Sequence, residues 1–214
     1  MRCLERPERA FWIGVALLGA VAVMAVAIPA EPLALDQRWS ELMRDIATPL
    51  LTHLALVFNA LGRGVGQLVL LVAVGAVLVL ARRWLALVCF AVVETATSAS
   101  ATLIKAAVQR PRPPDGLVHP VSSSFPSGHA AYASATCVAL VLLFPAPRPR
   151  RLWWWALAAA GILGMAWSRT YLQVHWLSDV VAGSLLGIGI ALVVLGGMQR
   201  WIRSAERQAG AADG

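Results

Sequence analysis

Residues 168–200 read SRTYLQVHWLSDVVAGSLLGIGIALVVLGGMQR, a polar stretch followed by an apolar run that is long enough to cross a bilayer. Of the 214 residues, 59% are hydrophobic and only 14% are charged, whereas soluble domains have roughly 25% charged residues. The sequence therefore predicts one all-α, polytopic membrane domain over 1–214. Its six candidate spans lie at about 11–29, 64–81, 84–107, 128–144, 152–169 and 178–200.

The segment between the first two spans, 31–63, has a different character. Leu35, Trp39 and Leu42 recur at three- and four-residue steps among charged residues, which predicts an amphipathic helix lying in the membrane interface. The stretch 46–62 that follows is apolar and is an alternative seventh crossing, although it contains polar residues and a proline.

The positions of the basic residues favour six crossings. With a cytoplasmic N-terminus, eleven of the 18 Lys and Arg residues lie inside, as the positive-inside rule requires. A crossing at 46–62 would move Arg82, Arg83 and the arginines of 148–151 to the outside and remove this bias. The sequence thus predicts a multi-pass protein of the cell (inner or plasma) membrane with both termini in the cytoplasm. The net charge of +7 is explained by orientation, and we expect no nucleic-acid partner.

Two other features of the sequence have simple explanations. The first 30 residues resemble a signal peptide, but an apolar run longer than the usual roughly 7–15 residues favours an uncleaved anchor. The three cysteines, Cys3, Cys89 and Cys137, are far apart, so we expect packing residues without a disulfide or a metal site.

Polar side chains gather at the predicted outer ends of the later spans. Lys105, the only lysine of the chain, lies near the end of the third span. Ser127 is a candidate N-cap of the fourth span, whose first N–H groups form an anion site. Gly128 allows a ligand to approach the backbone closely, and His129 can give a proton to a leaving group.

The last polar loop contains a second histidine. His175 and Asp179 are four residues apart, so at a helix start they share a face and the carboxylate can accept the imidazole N–H. That bond would leave the other ring nitrogen as a nucleophile. Arg169 offers a planar fork of N–H donors for an oxyanion.

Three segments in order carry a family resemblance: Lys105 with Arg112-Pro113, then Pro126 to His129, then Ser168-Arg169 with His175 and Asp179. Together they resemble the signature of the type 2 phosphatidic acid phosphatase (PAP2) superfamily. The resemblance implies a PAP2-type core of six helices and a phosphohydrolase that uses neither metal nor cofactor.

The resemblance also implies a role for each site residue. His175 would attack phosphorus and form a phosphohistidine, Asp179 would orient it, and His129 would protonate the leaving oxygen and later activate water. The equatorial oxygens would be held by Lys105, Arg112, Ser127, Gly128 and Arg169. Because neutral His175 and protonated His129 are needed together, we expect a bell-shaped pH profile.

We expect the substrate to be a lipid phosphate whose headgroup lies at the outer surface of the membrane, facing the periplasm or the outside of the cell. Polyprenyl pyrophosphate, phosphatidylglycerol phosphate and phosphatidic acid all fit this description. Two alternatives stay open: a lipid phosphotransferase of the same family, and a non-catalytic lipid transporter or binding protein. The oligomeric state is not indicated by the sequence.

Glu94 is an ionisable residue within the third predicted span, where a charged side chain would lie inside the membrane. With Thr97, Ser98, Ala101, Thr102 and Lys105 it forms a stripe at three- and four-residue steps, which we expect to face the bundle interior. We expect a structural role for Glu94, either neutral or paired.

Overall fold

A computed structural model describes residues 4–62, 64–118, 122–144 and 146–212 of the chain. Within these ranges the regular structure is helical, which confirms the predicted all-α class. The helices are α1 (Pro7–Ala27), α2 (Ala34–Asp45), α3 (Pro49–Leu61), α4 (Gly64–Leu80), α5 (Trp84–Val108), α6 (Gly128–Leu143), α7 (Arg148–Tyr171) and α8 (Leu177–Ala212).

Local sequence signals set several helix ends. Thr48 caps α3 by accepting a hydrogen bond from the Leu51 N–H at 3.3 Å, and Pro49 occupies the first turn, where no N–H donor is needed. Helix α5 ends at Gln109, which takes a left-handed φ of 48°. The chain then turns back, so that the described residues that follow, 110–118 and 122–127, lie near the helix ends that form the site.

Helix α6 lies at the centre of the bundle, packed against α5, α7 and α8. Its close approach to α8 depends on glycine, because a Cβ at Gly187 would stand 2.1 Å from the carbonyl oxygen of Ala131. One turn earlier, a Cβ at Gly183 would stand 2.3 Å from the carbonyl oxygen of Ser127. The starts of α6 and α8 are therefore held together, and both carry predicted site residues.

Three helices of the described chain, α1, α5 and α8, are long and apolar enough to cross a membrane. Helices α3 and α4, which meet at a bend of 57°, would together make a fourth crossing. Helix α6 is apolar but has 16 residues, fewer than the ~20 of a typical span. These lengths fit a multi-pass membrane protein.

The described part of the segment 31–63, residues 31–62, folds as the two helices α2 and α3. Helix α2 turns a partly polar face toward the protein, burying Asp36, Ser40 and Met43. The expected apolar face is divided: Leu35 and Leu42 are exposed, whereas Trp39 packs against the core that contains Met43.

The stripe on α5 is buried only in part. Glu94, Thr97 and Ala101 are buried, and Oε1 of Glu94 accepts a hydrogen bond from Thr136 Oγ1 at 2.7 Å. Thr102, by contrast, is exposed. The stripe therefore faces the bundle interior along its first two turns and lies partly outside it near its end.

The cysteines that the structure describes are both reduced. Cys89 is buried in the core beside α6, and Cys137 is half-buried. Cys3 lies outside the described residues.

Candidate active site

A cavity of about 310 Å³ opens where α5 and α7 end and α6 begins. It brings together six of the eight residues that the sequence singles out: Lys105, Arg112, Gly128, His129, Arg169 and His175. The other two, Ser127 and Asp179, are buried beside it and joined by a 2.9 Å hydrogen bond from the Ser127 N–H to the Asp179 carbonyl oxygen. Gly62, Gln67, Ser122 and Tyr132 complete the lining.

His175 lies in the short turn between α7 and α8 and is 4% exposed. Its Nδ1 is 3.5 Å from Oδ2 of Asp179, and its Nε2 is 3.2 Å from Nη1 of Arg112. A guanidinium can only donate, so Nε2 must be the acceptor and the ring proton belongs on Nδ1, toward the carboxylate. This tautomer leaves the lone pair of a nucleophile on Nε2.

Burial, together with the positive charges of Arg112 and Lys105, lowers the pKa of His175 to about 3, against the raising effect of Asp179. Protonation of this ring is therefore costly in the folded protein. At neutral and mildly acidic pH the imidazole is neutral, which is the state that a nucleophile requires.

Arg112 and Lys105 are held by backbone carbonyl oxygens. Arg112 donates to the carbonyl of Ser122 in the loop before α6 at 2.7 Å and to that of Val174 in the turn before α8 at 2.6 Å. Lys105 Nζ donates to the carbonyl of Ser123 at 2.6 Å. Because carbonyl oxygens carry no net charge, these contacts do not neutralise either side chain.

Arg169 is anchored by a residue that the sequence did not indicate as part of the site. Its Nη1 donates to Oδ1 of Asn59 on α3 at 2.7 Å. One residue earlier, Ser168 Oγ donates to the carbonyl of Ala55 at 2.7 Å, which fixes α7 against α3. A lone asparagine in an apolar stretch was the available signal, but its partner lies 110 residues away.

His129 stands in the first turn of α6, against the C-terminal end of α3. A Cβ at Gly62 would stand 2.6 Å from Cδ2 of His129, so glycine leaves the space for this ring. Gly128, next to it, has nothing within 4 Å of a Cβ position, which leaves its backbone open to a ligand. The Ser127 Oγ caps α6 by accepting from the Ala130 N–H at 3.4 Å.

Asp179 is itself held by groups that lie outside the cavity. Its Oδ2 accepts from the Trp176 N–H at 2.9 Å, and its Oδ1 accepts from Nη1 of Arg110 at 2.7 Å. Arg110 is not among the site residues that the sequence indicated. In the structure it is 1% exposed and forms an ion pair with Asp179.

The arrangement provides a neutral imidazole, a second imidazole and three cationic side chains around one small cavity. Fixed cations are suited to the oxygens of a phosphoryl group, where charge accumulates during transfer. Among the described residues there is no group of three or more His, Cys, Asp or Glu side chains that could hold a metal ion.

Known proteins share both the sequence pattern and the fold. The crystal structure of a transmembrane PAP2-type phosphatidylglycerolphosphate phosphatase from Bacillus subtilis is 26% identical, with a TM-score of 0.68, and the match covers 92% of this chain and 98% of that chain. The crystal structure of LpxE from Aquifex aeolicus is 24% identical, with a TM-score of 0.66 over 76% of this chain and 96% of that chain, and indicates the fold alone.

A sequence relative points in the same direction. An undecaprenyl-diphosphatase from Sulfolobus acidocaldarius is 39% identical over 74 residues, which is 35% of this chain and 33% of that protein. The match thus spans about a third of that relative's length. The family profile of the PAP2 superfamily matches residues 84–203, which is more than half of the chain and includes every residue of the three motifs. The chain therefore belongs to the PAP2 superfamily.

Proposed function

We propose that this protein hydrolyses a lipid phosphate or pyrophosphate through a phosphohistidine at His175, without a metal ion. The observation that carries the proposal is the setting of His175, whose Nε2 faces the cationic cavity while Nδ1 faces Asp179. A buried, neutral and oriented imidazole is what covalent catalysis at phosphorus needs.

The reaction has two steps. In the first, His175 Nε2 attacks phosphorus, and the P–N bond forms as the bond to the leaving oxygen breaks. His129 gives that oxygen a proton. In the second, neutral His129 takes a proton from water, and the resulting hydroxide attacks phosphorus, breaks the P–N bond and frees inorganic phosphate. Lys105, Arg112 and Arg169 hold the equatorial oxygens in both steps, with the Gly128 N–H and the capped first turn at Ser127.

The distribution of charge supports a site at the outer face of the membrane. Arginines meet at the end of the bundle away from the cavity, where Arg83 lies over Phe144, Arg151 faces Glu5 and Arg203 donates to the carbonyl of Leu4. By the positive-inside rule this end is cytoplasmic. Helices α1, α4, α5, α6, α7 and α8 then make six crossings with both termini inside, and α2 and α3 lie near the outer surface.

The substrate class follows from this placement and from the relatives. A phosphate cavity at the membrane surface is at headgroup level, and the relatives are named for phosphatidylglycerol phosphate and undecaprenyl diphosphate. We therefore place phosphatidylglycerol phosphate, polyprenyl pyrophosphate and phosphatidic acid first among the substrates to be tested. A phosphotransferase would share the first step and replace water by a hydroxyl acceptor in the second.

The test is phosphate release by purified protein in detergent with EDTA, across these three lipids. We expect release by the wild type, and none by His175→Ala. His53→Ala is the matched control, because His53 is an exposed histidine on α3 whose Nδ1 contacts the carbonyl of Pro49 at 2.8 Å, away from the cavity. Release that requires an added metal, or that survives His175→Ala, would refute the mechanism. No release from any lipid without an added hydroxyl acceptor would favour the transferase, and none with it would favour a binding role.

A further inference from the structure

A buried charge network lies behind His175, on the side away from the cavity. The Arg110 guanidinium is shared between two carboxylates: Nη1 donates to Asp179 Oδ1 at 2.7 Å, and Nη2 donates to Asp36 Oδ2 at 2.8 Å. The side chains of Arg110 and Asp179 are 0% exposed, and that of Asp36 is 2% exposed. Burying an arginine and two carboxylates away from water costs free energy unless each charge is paired with an opposite one. Removing any one of the three groups would therefore leave a buried charge without its partner.

Asp36 brings α2 into this network. Its Oδ1 accepts from the Ser178 N–H at 2.9 Å and its Oδ2 from Ser178 Oγ at 2.8 Å, directly beside Asp179 in the first turn of α8. Helix α2 lies outside residues 84–203, the part that matches the family profile. A helix beyond the family's matched core thus contacts the orienting carboxylate through a single arginine.

We infer that Arg110 and Asp36 are positioning residues that set the charge which Asp179 presents to His175. The physical reason is electrostatic. A carboxylate at Asp179 with no paired cation would stabilise the protonated form of His175, which cannot act as a nucleophile. Arg110 neutralises part of the negative charge of Asp179 and so keeps His175 neutral. Asp36 in turn takes up part of the charge of Arg110. The inference rests on the proposed function, because it concerns the same His175.

The other charged groups near His175 come from several elements. Lys105 at the end of α5 and Arg112 in the following loop disfavour its protonation. His129 on α6 and Arg169 on α7 line the same cavity. Substitutions at Arg110 and Asp36 leave these four side chains in place, so they change the charge on the Asp179 side of His175.

Arg110→Gln tests the inference through the pH profile. It leaves two buried carboxylates without their cation, and we expect the acid limb of kcat/KM to rise by roughly one to three pH units. From an acid limb near pH 3, a rise of three units lowers the ratio of activity at pH 5 to activity at pH 7 about tenfold, and a smaller rise is measured as the displacement of the limb itself. The double variant Arg110→Gln with Asp36→Asn removes one of the two negative charges, so its ratio should recover toward that of the wild type.

Two further variants separate charge from folding. Arg110→Lys keeps the positive charge, but an ammonium group lacks the planar pair of N–H donors that contacts both carboxylates. It should retain the wild-type ratio of activity at pH 5 to activity at pH 7, while kcat falls. Ser178→Ala removes two hydrogen bonds of the same network, the one from Ser178 Oγ to Asp36 and the one from Arg110 to Ser178 Oγ, without changing its charge, and should leave the acid limb in place. Elution volume and thermal unfolding in detergent establish that each variant is folded.

The outcomes are distinct. If the wild type releases phosphate but the acid limb of Arg110→Gln does not move, or if the double variant is worse than Arg110→Gln at pH 5, the positioning role is wrong and the network only stabilises the fold. If Arg110→Gln does not fold, Arg110→Lys is compared with the double variant Arg110→Lys with Asp36→Asn. The acid limb of the double variant should then lie at the lower pH. If the wild type releases no phosphate from any lipid, the proposed function itself fails.

Discussion

Gly62→Ala is a small change that tests the placement of His129 directly. The backbone of Gly62, with φ −92° and ψ 3°, is accessible to alanine, so the added methyl group acts only through its contacts. Those contacts are 2.6 Å to Cδ2 of His129 and 2.7 Å to Cε of Met165. The Met165 methyl group ends a flexible side chain and can turn away, whereas the imidazole is a rigid ring in the first turn of α6.

The magnitude follows from these distances. Carbon atoms at optimal contact are about 3.5 Å apart, so the ring must move by roughly 0.9 Å. A misplacement of about 1 Å in a catalytic group costs on the order of 100-fold in rate. We therefore expect kcat/KM to fall about 100-fold, while overpacking costs about 1–3 kcal/mol of stability.

The assay is phosphate release from the best lipid substrate, with thermal unfolding measured in the same detergent. Gly19→Ala is the control, because a Cβ there has nothing within 4 Å and should leave activity unchanged. The double variant Gly62→Ala with His129→Ala should have the same kcat/KM as His129→Ala alone, since both substitutions remove the function of the same His129 side chain. Activity of Gly62→Ala within about threefold of the wild type would show that His129 does not act from this position.

Three other predictions concern separate parts of the molecule. Asn59→Ala removes the 2.7 Å anchor of Arg169 and should lower kcat/KM about tenfold, a loss of the size expected for a hydrogen bond to a charged group, and Asn59→Asp should cost more because it neutralises the cation; steady-state kinetics on both variants decides this. Glu94→Ala leaves the Thr136 hydroxyl without its acceptor and should lower the free energy of unfolding by about 1–3 kcal/mol, measured by thermal unfolding. Glu94→Gln keeps an acceptor and should lower it less, and kcat should be unchanged in both variants. Equal stability of the two variants would contradict this contact. Because burial lowers the pKa of His175 from 6.5 to about 3, the acid limb of kcat/KM should lie near pH 3, where the nucleophile is lost as the pH falls; a limb near 6.5 in the pH profile would contradict it.

The same pKa has a consequence for stability. Between pH 6.5 and about 3 the unfolded chain binds a proton at His175 that the folded chain does not, so this residue lowers the free energy of unfolding as the pH falls through that window. Denaturant titrations on the wild type and on His175→Ala would show the difference.

Much of the architecture could be predicted from the sequence because apolar runs and caps are local signals. The predicted spans at 64–81, 84–107 and 128–144 match α4, α5 and α6 to within one residue at each end. Helix α8 extends to Ala212, beyond the predicted end of its span at 200. The motif residues also lie together, because each motif lies at a helix end and these ends are at the same end of the bundle.

What the sequence did not indicate depends on contacts between distant segments. Asn59 and Gly62 lie in the stretch whose apolar character suggested either a surface helix or a crossing, and their importance appears only where α3 meets α7 and α6. Asp36 lies on the charged face that an interfacial helix was expected to turn to water. Its burial is explained by Arg110, 74 residues away, and no local pattern encodes that pairing.

The most direct test of the central claim is to trap the phosphoenzyme. Purified protein in excess over a lipid pyrophosphate is quenched with alkali within one turnover, digested and analysed by mass spectrometry for phosphohistidine, alongside His175→Ala and His129→Ala. We predict one phosphoryl group on His175 in the wild type and none in His175→Ala. In His129→Ala the phosphohistidine should form more slowly, because the proton donor is missing, and persist longer, because water activation is lost. Phosphate release with no phosphorylated His175 peptide in any of these samples, or with the label on another residue, would contradict the account.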